Sequence, residues 1–179
     1  MKRTLCIALF VALTLCLACV RKGEPSERQL DEATMALLTT ARALHHEADV
    51  FEAAGDHASA RAAIERVLAL RFPGAVDEAE DVRADAWGRL GEIALAAEDP
   101  DRALGNANTG LQDSRRDSVL RARLYVVRGR ALRRIADRAQ QNGDPTTAAS
   151  RRREAIDALE TSIRVNQRVL RRIFDGGVP

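Results

Sequence analysis

Aromatic residues are almost missing from this chain, at 3% of 179 residues, with one Trp, one Tyr and four Phe. So few ring side chains argue against a strand-rich core. Ala and Leu dominate instead, and five Pro and eleven Gly fall mostly between periodic stretches. That composition points to an all-α fold. Cysteine occurs only as Cys6, Cys16 and Cys19, so the body of the chain has neither a disulfide framework nor a thiol nucleophile. Histidine is limited to His45, His46 and His57. Neighbours on a helix point about 100° apart, so His45 and His46 are poorly placed to share one metal. His57 follows a turn. There is no phosphate-binding loop and no G-x-S-x-G elbow. Together these absences predict a protein that is not an enzyme and needs no cofactor or metal.

Lysine is scarce too, at Lys2 and Lys22 only, while arginine is abundant. The formal net charge of +2 names no partner, but its distribution is uneven. Residues 21–114 carry 10 basic and 19 acidic side chains, and residues 115–179 carry 16 basic and 7 acidic. An acidic half is thus followed by a basic half of equal magnitude. Doublets or triplets at Arg115-Arg116, Arg133-Arg134, Arg151-Arg152-Arg153 and Arg171-Arg172 recur near every eighteen residues, about five helical turns.

Residues 1–19 have the parts of an export signal. Lys2 and Arg3 precede an apolar run from Leu5 to Ala18, shorter than the ~20 residues a spanning helix needs. The ending Cys16-Leu17-Ala18-Cys19 resembles the lipobox of bacterial lipoproteins. That resemblance implies lipidation of Cys19, a membrane association through it, and removal of what precedes it. Ordinary cleavage after Ala18 is the alternative. Val20 stands where the lipoprotein family has the Asp associated with inner-membrane retention in enteric bacteria. An outer-membrane lipoprotein facing the periplasm of a Gram-negative bacterium is therefore expected. Residues 20–25 read as a linker, and residues 26–179 as a helical domain.

In that domain Ser26 and Gln29 suggest a capping box. Leu30, Leu37, Leu44 and Phe51 then recur every seven residues, predicting a helix over 27–53. Gly55-Asp56 breaks it. Further helices are expected over 57–71, 76–97, from Asp99-Pro100 onward, over 116–141, and from Asp144-Pro145 to about Phe174. Acids at Asp77, Glu78, Glu80 and Asp81 suit a helix N-terminus without any metal, and Asp-Pro starts suit capping and the first helical position.

The turns repeat. Asp56, Asp99 and Asp144 precede Ala60, Ala103 and Ala148 by four residues each. In the middle copy Trp87, Leu90 and Gly91 form W-x-x-L-G, with Ala103 twelve residues beyond Gly91. This resembles the tetratricopeptide repeat, a helix-turn-helix with that pattern on its first helix and a small residue early on its second. Gly55, Ala60 and Ala148 are the matching signature positions of the outer copies. The turns lie 43 and 45 residues apart, against about 34 in the family, so elongated first helices are expected. The third copy is degenerate, and either Gly129 or Ala136 can answer to Gly91. The resemblance implies a short α-solenoid of about three repeats and six helices, used for protein–protein interaction.

In the resembled family, partners lie along the concave face made by the first helices. Carried over, that face comprises Arg42, His45, Asp49 and Glu52, then Asp85, Glu92 and Leu95, then Arg130 and Arg133. Arg123 and Arg134 join them under one alignment of the third copy, Asp137 and Gln140 under the other. The expected function is a membrane-tethered interaction scaffold of the cell envelope, of the kind that serves as an assembly or pilot factor. Two alternatives stand beside it. The arginine-rich half could bind anions such as lipopolysaccharide or anionic lipid, or the two oppositely charged halves could drive self-association. A protein partner is expected and nucleic acid is not; the oligomeric state stays open.

Overall fold

The computed structural model describes residues 27–73 and 77–175. The export signal, Cys19, the linker and Ser26 of the capping box lie outside the described residues. Among those described, the chain is all-helical, with no strand. The six helices are α1 (Glu27–Ala53), α2 (His57–Leu68), α3 (Asp77–Ala96), α4 (Pro100–Asp113), α5 (Val119–Gln141) and α6 (Pro145–Asp175). By its contacts the chain divides into units of residues 1–32 and 33–179, and the packing that follows belongs to the second. Each of α2 to α5 packs on the helix that follows it, and α3 also packs on α5. The first helices are long, as the turn spacing predicts.

The three turns are built alike. Gly55, Glu98 and Gly143 are left-handed, with φ of 75°, 58° and 77°. The amide of each donates to the carbonyl three residues back, on Glu52, Leu95 and Gln140. The next residue is Asp in every case, and its amide donates five residues back, to Phe51, Ala94 and Ala139, all at 2.9 Å. This double closure is a Schellman ending. The same Asp then caps the following helix: Asp56 accepts from the Ser59 amide at 3.0 Å, Asp99 from Arg102 at 3.0 Å and Asp144 from Thr147 at 2.9 Å. One residue thus ends one helix and starts another. Glu98 takes the left-handed conformation with a β-carbon, at a cost of about 1 kcal/mol.

The turns also set the phase of the core. Four residues after each Asp lies a fully buried alanine: Ala60, Ala103 and Ala148. Eight residues before each lies Ala48, Gly91 or Ala136, all buried. The turn register therefore matches Ala136 to Gly91, while Gly129, two helical turns earlier, is also buried, so one inward face carries both. Small residues there allow close approach. A methyl on Gly91 would stand 2.5 Å from Val127 Cγ1, and one on Gly110 would stand 2.7 Å from Trp87 Cβ and 2.8 Å from Leu124 Cδ2. Trp87 lies over Gly110 and donates from Nε1 to Asp113 Oδ2 at 2.9 Å.

Two boundaries depart from the sequence reading. α2 stops at Leu68, with Ala69 as its cap, instead of reaching Arg71. α5 starts at Val119, because Ser118 caps it by accepting from the Arg121 amide at 3.1 Å. The Arg115 and Arg116 amides, expected near the helix start, donate instead to Glu80 Oε1, both at 2.7 Å. The acids of the first turns of α3 thereby hold the α4–α5 loop. Asp81 and Asp77 take the Arg116 guanidinium, and Glu80 also accepts from the buried Ser114 hydroxyl. Burial pushes the Glu80 carboxyl up, but these donors outweigh it and its pKa is lowered.

Candidate functional site

The spacing i, i+4, i+7 puts three side chains on one helical face. His45, Asp49 and Glu52 have it on α1, and Asp85, Arg89 and Glu92 have it on α3. Packing of α1, α3 and α5 turns these faces into a ladder of ion pairs. Arg89 Nη2 reaches Asp49 Oδ1 at 2.6 Å and Glu52 Oε2 at 3.0 Å. His45 Nε2 lies 3.5 Å from Asp85 Oδ2, and the other oxygen of Asp85 receives Arg123 Nη1 at 2.6 Å. Arg123 then makes a two-point contact with Glu92, through Nε at 3.1 Å and through Nη2.

Titration follows from this geometry. The hydrogen bond from Arg89 lowers the Asp49 pKa. The bond to Glu92 raises that of Arg123. Burial lowers His45, with the pull of Asp85 in the opposite direction too weak to offset it and Arg89 adding to it. His45 therefore sits in the ladder as a neutral ring near neutral pH. Four carboxylates meet two guanidiniums along the ladder, so it remains acidic.

The arginines farther along α5 are arranged differently. Arg130, Arg133 and Arg134 are exposed, and among the described residues none has a carboxylate within 4.0 Å. They line two depressions. One of about 170 Å³ is formed with Glu92, Leu95 and Ala96. Another, of about 430 Å³, has Arg134 beside Leu95, Glu98 and Asp137. Arg130 and Arg133 also border a third depression of about 330 Å³ between α5 and α6, floored by Gly129, Ala155, Ile156 and Leu159.

The structure thus brings together His45, Asp49, Glu52, Asp85, Glu92 and Arg123 from the sequence-predicted face, and Arg130, Arg133 and Arg134 beside one another. Arg42 is exposed on α1 and joins no ion pair among the described residues. Leu95 is only 7% exposed and belongs to the core with Ala103, Ala107 and Val127. His57 is half-buried, with Nδ1 lacking a hydrogen-bond partner among the described residues, and lines a depression with Leu90 and Ile93. Of the third copy's alternatives, Asp137 lies 3.8 Å from Arg152, and Gln140 Oε1 accepts from Arg152 at 3.5 Å.

Sequence reasoning missed Arg89, the cation that joins α1 to α3. Its signal was the sign pattern Asp85-Arg89-Glu92 on one face, which marks a helix lined with ion pairs. It also missed Asp117, which takes Arg168 across the α5–α6 hairpin at 2.6 Å. Among the described residues no group of three or more His, Cys, Asp or Glu could hold a metal ion, and no helix is long and apolar enough to cross a membrane. Comparisons with models of known protein families, with curated proteins and with solved structures found no match.

Proposed function

We propose that this chain is a protein-interaction scaffold of the bacterial cell envelope, tethered through lipidated Cys19 and built from three tetratricopeptide-like hairpins. The observation that carries the reading is the contrast within the α1–α3–α5 face. The charges of α1 and α3 are largely satisfied inside the chain, whereas Arg130, Arg133 and Arg134 are exposed and, among the described residues, without an ion pair, beside a depression that Leu95 and Ala96 also line. Unpaired arginines beside apolar surface suit a partner that brings carboxylates, since Arg presents a rigid fork of donors to them. The shared turn geometry and the alanines four residues beyond each turn support the repeat reading. Affinity capture from envelope extracts tests it. Arg130→Gln with Arg133→Gln should reduce recovery of the bound partner at least fivefold, while Arg42→Gln changes it little. Recovery equal to that of the unsubstituted chain contradicts the assignment. Labelling with a palmitate analogue, lost in Cys19→Ser, tests the tether.

A further inference from the structure

The last helix carries a second apolar stripe that no described residue covers. Its buried side chains, among them Ala148, Ala155, Ala158, Ser162 and Val165, form one face. Ile156, Leu159, Ile163, Leu170 and Ile173 form another, turned about 85° away on a helix of 100° per residue. With Phe174 beside them these side chains range from 41% exposed at Leu159 to 76% at Phe174. Their spacing of three and four residues is the heptad seam of a two-helix packing, with Asn166 completing it. Earlier hairpins leave no such face. Eight residues past the turn, Ile64 on α2 and Ala107 on α4 are buried, whereas Arg152 on α6 is exposed.

We propose that a second copy of this chain covers the stripe, with the two α6 helices antiparallel about a twofold axis near residues 164 and 165. In that direction the heptad pattern closes on itself. It sets Ile156 against Ile173 of the second copy and Leu159 against Leu170, and Ile163 against Asn166 at the centre. The extent of the surface also fits. The six apolar side chains expose on the order of 700 Å² per chain, so a pair that covered them completely would remove about 1,400 Å², within the roughly 1,200–2,000 Å² of a specific interface. An isologous contact of this kind closes on itself and forms a dimer. It is distinct from a charge-driven contact of acidic half with basic half, which would be heterologous and screened by salt.

Sedimentation of the full chain over a concentration series tests this. A reversible dimer is expected that persists in high salt. Ile163→Glu should weaken it at least a hundredfold with unchanged helical circular dichroism, because residue 163 is exposed in the single chain. Asn166→Leu should tighten it at least tenfold by replacing a polar group in the seam. Several outcomes overturn the proposal: a monomer up to the solubility limit, association that survives both Ile163→Glu and Leu170→Glu, or a dimer dispersed by salt. Monomers whose binding to phosphatidylglycerol vesicles is lost in Ile163→Glu would assign the stripe to a membrane surface and likewise overturn it.

Discussion

Along α1 and α3 the side chains Asp49, Glu52, Asp85 and Glu92 each meet an arginine of a neighbouring helix, while on α5 Arg130, Arg133 and Arg134 meet none among the described residues. The two regions have similar helix geometry and similar charge density. They differ in what packs beside them. α3 lies between α1 and α5, so its charges face partners on both sides. α5 has α3 on one side and, on the other, the groove it shares with α6. Charge on a repeated helical face therefore becomes internal where a neighbouring helix follows, and stays available where the stack ends.

The comparison can be broken at its strongest point by removing the cation that closes the ladder. Arg123→Ala leaves Asp85 and Glu92 without it. A fully buried pair costs 3–5 kcal/mol to break, and with the Arg123 side chain 33% exposed solvent screening trims this to about 2 kcal/mol. Arg133→Ala should change stability by no more than about 0.5 kcal/mol. Urea unfolding of both variants checks the pair. If the two losses are equal, the distinction between the regions fails.

Packing gives a second contrast. Gly91→Ala puts a methyl 2.5 Å from Val127 Cγ1, and it should cost about 1–2 kcal/mol despite the better helix propensity of Ala. Gly105→Ala, on the exposed side of α4 with nothing within 4 Å, should instead stabilise by about 0.5–1 kcal/mol. Glu98→Gly relieves the one left-handed turn residue with a side chain, and should gain up to about 1 kcal/mol. Thermal unfolding of the three variants gives the order directly. A Gly91→Ala protein as stable as the parent would mean that α3 and α5 sit farther apart than described.

The smallest effect concerns pH. His45 has a lowered pKa in the folded chain, so on acidification the unfolded chain takes up its proton first. Stability should be fully present above pH 6.5, the ordinary value for His, and fall as pH drops below it. A further loss should follow below about 4.5 and 3.8, the ordinary values for Glu80 and for Asp49 and Asp117. Their pKa values are lowered as well, so the unfolded chain again binds protons first. Urea midpoints from pH 8 to 3 measure this. The upper step should vanish in His45→Gln; if it remains, His45 is not its source.

Much of this was legible in the chain because it is local. Asp99-Pro100 and Asp144-Pro145 announce a cap and a first helical residue, and both are found there. The recurrence of Asp four residues before Ala fixed the phase of all three hairpins. What stayed hidden depends on which helix faces which. The face Asp85-Arg89-Glu92 can be read from spacing, but that Arg89 reaches back to α1 while Asp85 and Glu92 reach forward to α5 follows only from packing. Leu95 is one of the residues expected on the interaction face, yet it is drawn into the core by Ala103 and Val127. Arg115-Arg116 looked like the start of a basic helix, and became a loop because Glu80, 35 and 36 residues earlier, takes both amides.

The central claim, that the ladder's charges pair within the chain while Arg130, Arg133 and Arg134 meet no carboxylate among the described residues, is tested most directly by double-mutant cycles in urea. Asp85→Asn with Arg123→Gln should show a coupling of about 1 kcal/mol or more, and Asp85→Asn with Arg133→Gln about zero. Equal couplings in the two cycles would contradict it.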